Sequence, residues 1–144
     1  MITGACRCGA VRYSVALAEP PVVYCCHCRY CQAWSGSAFT QQALVMADAI
    51  AAEGTPAEFT LTRDDGSLST QIICPACHAR LWNRSAKAPG IAALRAGTLD
   101  VAPRLSPAMH IWTRSKQPWI ALDPALPAFP ENPPPADWLA MLNR

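Results

Sequence analysis

Seven of the eight cysteines of this chain fall in three tight groups, and this spacing constrains the fold more than any other feature. The groups are Cys6-x-Cys8, the run Cys26-His27-Cys28-x-x-Cys31, and Cys74-x-x-Cys77. CxC and CxxC spacings can aim two sulfurs at one metal ion from a short turn. Seven ligands divide into four plus three. A four-thiolate zinc site is closed, whereas a three-ligand site leaves one position open for chemistry.

The composition is typical of one β-rich domain. The chain has 144 residues, of which 51% are hydrophobic and 15% are charged, and a domain of this size buries roughly 68–70% of its unfolded surface. Fourteen prolines favour short strands and many turns over long helices. We therefore expect a single domain over residues 1–144, mainly β, with few short helices and a proline-rich extended tail at about residues 122–144.

Strand patterns recur along the chain, with β-branched and aromatic residues or period-two alternation between turn signals. The predicted strands cover residues 11–15, 22–25, 38–45, 58–62, 68–73, 81–83, 91–95 and 109–113. We expect a short helix at residues 47–52 and a last helical turn or two at residues 137–142.

The sequence predicts a soluble, cytoplasmic protein with no membrane partner. Residues 1–6 show neither a basic leader nor an apolar segment of signal-peptide length, and the apolar stretch at 43–52 is broken by Asp48. In a reducing cytosol, cysteines at these spacings are expected to be metal-bound thiolates and not disulfides. The formal charge of +2, with no basic run, predicts no nucleic-acid partner.

Spacing alone does not decide which cysteines share a metal with Cys74 and Cys77. Both the Cys6 and Cys8 pair and two cysteines of the run 25–31 qualify. Pairing with the central run leaves Cys6 and Cys8 without a partner, whereas pairing the two outer groups leaves the central run intact.

The central run predicts its own ligand set if it is extended, because alternate side chains of an extended segment share a face. That geometry favours Cys26, Cys28 and Cys31. Cys25 is then interpreted as a small buried apolar residue. His27 falls on the opposite face. We expect its side chain to make polar contacts that support the ligand residues, or to lie at the surface.

Further residues extend this pattern along the chain. The full pattern is Gly4-x-Cys6-x-Cys8-Gly9-x-Val11-x-Tyr13, Cys26-His27-Cys28-x-x-Cys31, Ser35-Gly36-Ser37-x-Phe39, Cys74-x-x-Cys77, Gly97-Thr98-Leu99-Asp100, His110-Ile111 and Lys116-x-Pro118-Trp119. Its order, from Gly4 to about Pro130, resembles the glutathione-dependent formaldehyde-activating enzyme family (Gfa-like), which also includes centromere protein V. His78 departs from the family pattern, in which glycine commonly follows the last CxxC.

The resemblance implies a mainly antiparallel β fold of the β-tent type, pinned by two zinc ions per chain. It implies a structural zinc at Cys6, Cys8, Cys74 and Cys77. It implies a catalytic-type zinc at Cys26, Cys28 and Cys31. It also associates the chain with glutathione, aldehydes and the making or breaking of carbon–sulfur bonds.

A zinc ion with three thiolate ligands favours thiol chemistry. Three thiolates leave the site with a charge of −1, which makes the metal a weaker Lewis acid than a three-histidine zinc. Its open position can instead take an incoming thiolate, lower the pKa of that thiol and hold the sulfur beside an electrophile. We therefore predict a zinc-dependent carbon–sulfur lyase that acts on adducts of a thiol, with glutathione as the candidate, and an aldehyde or another small electrophile.

Two further side chains are candidates for the site. Arg29 lies inside the central run and is predicted to bind a carboxylate of the substrate. The other cations that could do so are Arg80, Arg84, Arg114 and Lys116. For each of these cations a solvated surface charge is the default interpretation, because scattered Arg and Lys are normal on a soluble domain. His110 lies in an apolar strand, where a structural histidine is the default, and it is the candidate for proton transfer.

Two alternatives stay open. In the first, the chain is a non-enzymatic zinc-binding module with two structural metal sites, and His27, Cys25 or another side chain closes the second site. In the second, Cys28 and Cys31 form a metal-free redox pair.

Overall fold

The structure is a computed structural model that describes residues 1–143. The strands are β1 (Ile2–Ala5), β2 (Arg12–Val15), β3 (Val23–Cys26), β4 (Thr40–Met46), β5 (Ile50–Glu53), β6 (Ala57–Thr62), β7 (Leu68–Ile73), β8 (Arg80–Ser85), β9 (Ala88–Arg95) and β10 (Pro107–Ile111), and the helices are α1 (Arg29–Ser35) and α2 (Pro135–Leu142). This content confirms the prediction of a mainly β fold with few short helices. Among the described residues, no helix has the length and apolar composition needed to cross a bilayer.

The chain divides into two compact units, each with its own cysteine cluster. The first unit comprises Met1–Pro21 and Ala43–Leu105, and the second comprises Val22–Gln42 and the chain from Ser106 onward. One boundary falls inside β4. The four outer cysteines belong to the first unit and the central run belongs to the second. The expectation of a single domain stays a prediction.

The first unit contains two antiparallel arrangements of strands. One is a three-stranded sheet in the order β1-β2-β5, and the other places β9, β8, β7 and β6 side by side. Apolar side chains from both, including Val15, Leu81 and Leu94, form a core that is closed to solvent. Cys6 and Cys74 lie in this core, so burial of the strands also fixes two of the four outer cysteines.

In the second unit, β3 lies between β10 and the start of β4. All four residues of β3 are buried, as expected for a strand with neighbours on both sides. β10 pairs with β3 in parallel, so the sheet is mixed. The proline-rich segment that follows lies against β10, since the N–H of His110 donates to the carbonyl of Pro127 and the N–H of Phe129 donates to the carbonyl of His110, both at 2.9 Å.

Three local predictions need correction. The helix expected at residues 47–52 is one 3-10 turn, Ala47–Ala49, followed by β5. The edge strand β1 was not predicted. The run 26–31 is not extended throughout, because β3 ends at Cys26 and Cys28 is the N-cap of α1. Its sulfur accepts the N–H of Cys31 at 3.4 Å, which satisfies a donor of the first helical turn.

Gly4 is the point of closest packing in β1. It lies opposite Tyr13 of β2, whose hydroxyl forms a 2.6 Å hydrogen bond with the hydroxyl of Thr98. A Cβ added at Gly4 would lie 2.5 Å from the carbonyl oxygen of Thr98 and closer still to the hydroxyl oxygen of Tyr13. Only glycine fits without displacing backbone.

We therefore expect Gly4→Ala to lower the free energy of unfolding by about 1–3 kcal/mol, the usual cost of overpacking. Gly90→Ala is the matched control, because a Cβ at Gly90 in β9 meets no atom within 4 Å. Urea denaturation followed by tryptophan fluorescence measures both. Equal stability of the two variants would contradict the packing argument.

Candidate metal centres

The four outer cysteines form one cluster in the first unit. The sulfurs of Cys6, Cys8, Cys74 and Cys77 all lie within 4.8 Å of one another. Cys6 Sγ and Cys8 Sγ are 3.6 Å apart, and Cys8 Sγ and Cys74 Sγ are 3.7 Å apart. Zinc–sulfur bonds of about 2.3 Å in a tetrahedron place the sulfurs about 3.8 Å apart. The cluster therefore has the size of a tetrahedral four-thiolate site.

A tight loop after β1 presents the first pair of sulfurs. The N–H of Cys6 donates to the carbonyl of Val11 at 2.9 Å, and its carbonyl accepts the N–H of Gly9 at 3.1 Å. Gly9 has a φ of 79°, which glycine adopts without steric cost. Burial raises the pKa of the Cys6 thiol, but hydrogen bonds from the N–H of Val11 and with Cys74 and Cys8 outweigh it and lower that pKa to about 6. The loop therefore favours a thiolate at Cys6.

The loop between β7 and β8 repeats this design. The N–H of Cys74 donates to the carbonyl of Ala79 at 3.0 Å, and its carbonyl accepts the N–H of His78 at 2.9 Å. His78 has a φ of 59°, in the left-handed region where histidine is tolerated better than most side chains. Glycine would adopt this backbone conformation without steric cost, and His78 adopts it here.

The central run forms a second cluster in the second unit. The sulfurs of Cys26, Cys28 and Cys31 lie within 4.8 Å of one another, at the end of β3, at the N-cap of α1 and in its first turn. Hydrogen bonds with Cys28 and Cys31, followed by burial, raise the pKa of the Cys26 thiol. Three thiolates this close would repel one another, and a divalent cation offsets that repulsion. The donor set therefore fits a metal ion.

Among residues 1–143, no further histidine, cysteine or acidic ligand atom joins the three sulfurs. Cys25 is buried, and burial raises the pKa of its thiol to about 11. It fits the interpretation of a buried apolar residue. His27 is fully buried, so the surface role considered for it is wrong. Neither of the two side chains proposed to close the site belongs to the cluster.

His27 and His110 form a buried hydrogen-bonded pair. His27 Nε2 lies 3.0 Å from His110 Nδ1. Burial, followed by His110 and Lys116, lowers the pKa of His27 to about 4, and burial lowers the pKa of His110 although Asp123 opposes this. Nδ1 of His27 is buried and forms no hydrogen bond among the described residues. An unpaired N–H there would be costly, so the favoured tautomer has Nε2–H of His27 donating to Nδ1 of His110.

The comparison with protein families decides the assignment. A family model described as glutathione-dependent formaldehyde-activating enzyme matches residues 1–115. This chain belongs to that family. The formaldehyde-activating enzyme match contains all seven clustered cysteines and His110.

A similar solved structure supports the fold of this member of the formaldehyde-activating enzyme family. It is the crystal structure of a Rhodobacter sphaeroides protein, with a TM-score of 0.54 and 13% sequence identity, and the match covers 88% of this chain and 98% of that chain. At this identity the likeness shows the fold alone. A search of curated proteins finds no match.

The cations considered as carboxylate partners in this family member differ in what they contact. Arg84 and Arg114 form ion pairs with glutamates, at 3.4 and 2.5 Å. Lys116 donates to two backbone carbonyls. Arg29 donates to the amide oxygen of Gln32 at 2.9 Å and forms no ion pair among residues 1–143. Of these four, Arg29 keeps the most hydrogen-bonding capacity for an anionic ligand.

Sequence reasoning missed Gln42, which contacts the second cluster directly. Its Nε2 donates to Cys31 Sγ at 3.3 Å and to Thr40 Oγ1 at 2.7 Å, and its Oε1 accepts from the hydroxyl of Tyr24 at 3.1 Å. The ring of Tyr24 packs edge-on against Trp138 of α2, with centroids 5.0 Å apart. These contacts fix the amide so that its N–H group faces the sulfur. A donor in this position favours the thiolate form of Cys31.

We expect Gln42→Ala to weaken metal binding at the second cluster about 10- to 100-fold, the usual effect of losing a hydrogen bond to a ligand. Gln41→Ala is the control, because Gln41 adjoins Gln42 in β4 and is only partly buried. Competition with a chromophoric chelator measures both affinities, and cobalt loading reports the shift of the thiolate-to-metal absorption band. Equal affinities and spectra for the two variants would show that the contact has no effect on the site.

Proposed function

We propose that this chain is a zinc-dependent enzyme of the carbon–sulfur lyase type. Its substrates would be a thiol, with glutathione as the candidate, and an aldehyde or another small electrophile. The observation that carries the proposal is the set of three sulfurs from Cys26 and Cys31, which are buried, and Cys28, which is partly buried, with no fourth ligand among residues 1–143. The family description, which names glutathione and formaldehyde, supports the same reaction class.

The two clusters would hold two zinc ions with different tasks. All-sulfur ligand sets suit zinc and select against hard cations such as magnesium. In this proposal Cys6, Cys8, Cys74 and Cys77 bind a closed, structural zinc. Cys26, Cys28 and Cys31 bind the second zinc, which when bound would supply a Lewis-acidic position that accepts a substrate thiolate and lowers the pKa of its thiol.

The proposed reaction is balanced without an oxidant or reductant. The thiol sulfur forms a bond to the carbonyl carbon, the carbonyl π pair moves to oxygen, and the proton lost by the thiol ends on that oxygen. The product is a hydroxymethyl thioether when the aldehyde is formaldehyde. The reverse reaction breaks the same carbon–sulfur bond and returns the aldehyde and the thiol.

The residues around the three sulfurs have distinct proposed tasks. Gln42 orients Cys31 through the N–H···S contact. His110 is the proposed proton-transfer residue, and its Nδ1 is held by His27. Burial keeps this histidine pair neutral near pH 7. In the tautomer described above, His110 carries its proton at Nε2, and this is the nitrogen from which it would donate. A cytoplasmic location, where glutathione is abundant as a thiol, stays part of the proposal.

The wild-type protein should accelerate the exchange between glutathione, formaldehyde and their adduct, measured by two-dimensional exchange NMR at equilibrium. Cys28→Ser should lower the enzymatic contribution at least about tenfold, because the second metal loses a ligand. Cys25→Ala is the matched control, since this neighbouring cysteine lies outside the cluster, and it should retain the activity.

Circular dichroism on the same samples separates loss of chemistry from loss of fold. No acceleration by the zinc-loaded wild-type protein would contradict the proposed reaction. Equal losses in Cys28→Ser and Cys25→Ala, with both folded, would contradict the assignment of the second cluster.

A further inference from the structure

A cleft of about 450 Å³ lies along α1 in the second unit. Its walls are one face of the helix, the turn at residues 36–38, and the side chains of Gln117 and Trp119. Arg29 and Gln32 are the polar helix residues in that wall, and they directly follow Cys28 and Cys31 in the chain. The volume is within the usual range for small-molecule sites.

The cleft has one cation and no acidic side chain among the described residues that line it. Arg29 is exposed and donates one N–H to Gln32. A guanidinium has five N–H donors in a planar fork, so the side chain retains donors for a bidentate contact with a carboxylate. The charge of the cleft therefore selects an anionic ligand.

Gln32 fixes the position of this cation. It is 5% exposed, and its Nε2 donates to the carbonyls of His27 and Ser115 at 2.7 and 2.8 Å. Its Oε1 accepts from Arg29 at 2.9 Å and from Gln117 at 3.3 Å. With four hydrogen bonds the amide cannot rotate freely, and the guanidinium is ordered before a ligand arrives. Such ordering lowers the entropic cost of binding.

Trp119 forms an aromatic wall of the cleft. It is 72% exposed, an unusual exposure for so large an apolar side chain. Its indole N–H donates to Gln117 Oε1 at 2.7 Å, which holds the ring in place. Arg29, Gln32, Gln117 and Trp119 are thus joined in one chain of hydrogen bonds that ends in a ring against which a flat amide or an apolar chain can pack.

We propose that this cleft binds the carboxylate-bearing peptide part of the thiol substrate. Arg29 contacts the carboxylate, and Trp119 packs against the peptide. Gln32 holds the Arg29 side chain and Gln117 holds the Trp119 ring through the hydrogen bonds described above. The inference rests on the proposed function for the identity of the ligand, and it adds selection for a peptide thiol over a simple thiol. The carboxylate would be recognised separately from the sulfur.

S-Methylglutathione tests the cleft without thiolate binding to a metal, because its sulfur is a thioether. Isothermal titration calorimetry on the zinc-loaded protein should show binding, and tryptophan fluorescence should change. Arg29→Gln should weaken this binding about tenfold or more, as expected when a charge-assisted hydrogen bond is lost. Arg104→Gln is the control, because Arg104 is exposed in the first unit, and it should bind like the wild type.

Two further comparisons keep the test decisive if Arg29→Gln does not fold. The diethyl ester of S-methylglutathione should bind the wild-type protein about tenfold more weakly than the acid, because both carboxylates are masked. Trp119→Leu should weaken binding of the acid and reduce the fluorescence change. No binding of S-methylglutathione to the wild type, equal binding of acid and ester, or full affinity in folded Arg29→Gln would each overturn the proposal.

A parallel titration of the cobalt-loaded protein with 2-mercaptoethanol separates this proposal from the proposed function. A spectral change with that thiol, together with equal affinities of the acid and the ester, would contradict the proposed role of the cleft and support thiolate binding at the metal. Binding of S-methylglutathione that depends on Arg29, without a spectral change by any thiol, would support the proposed role of the cleft and contradict thiolate binding at the metal.

Discussion

Repulsion among closely packed cysteine thiolates is the constraint on which this structure depends. Two unit charges 4 Å apart repel by about 4 kcal/mol at the effective dielectric of a protein surface, and both clusters hold their sulfurs within 4.8 Å. At neutral pH a protein avoids this repulsion either by keeping the thiols protonated or by binding a cation between the thiolates. The raised pKa of the Cys26 thiol shows the first response, and the tetrahedral spacing of the outer sulfurs suits the second.

The two clusters differ in how the chain presents them, and this difference supports different tasks. The outer four sulfurs come from two loops of similar backbone design, each with a left-handed residue directly after its second cysteine. The central three come from a strand end and the first turn of a helix. Because Cys28 caps α1 through its sulfur, formation of the helix brings Cys31 to the cluster. The same helix carries the proposed carboxylate-binding residue, so one short element would position both ends of a peptide thiol.

Cysteine spacing predicted metal ligands, and the family resemblance divided them into the two groups that the structure brings together, but neither predicted how the loops present the sulfurs. Composition and alternation predicted a β-rich chain, and most predicted strands overlap observed ones within a few residues. The strand β1 and the helix α1 were missed because β1 is short and contains Gly4, and because cysteine is not a typical N-cap residue. The argument from an extended run named the three cysteines whose sulfurs lie together in the structure, although the run bends into a helix at Cys28. Gln42 and the buried pairing of His27 with His110 depend on contacts distant in sequence, which local pattern does not encode.

The central claim is that one cluster is closed by four sulfurs while the other accepts a thiolate from solution. Cadmium-113 NMR of the cadmium-substituted protein tests it most directly, because the chemical shift depends on the number of coordinated sulfurs. The account predicts two resonances, of which one moves toward the four-sulfur position on addition of glutathione while the other stays unchanged. Two resonances that both stay fixed, or a single resonance, would contradict it.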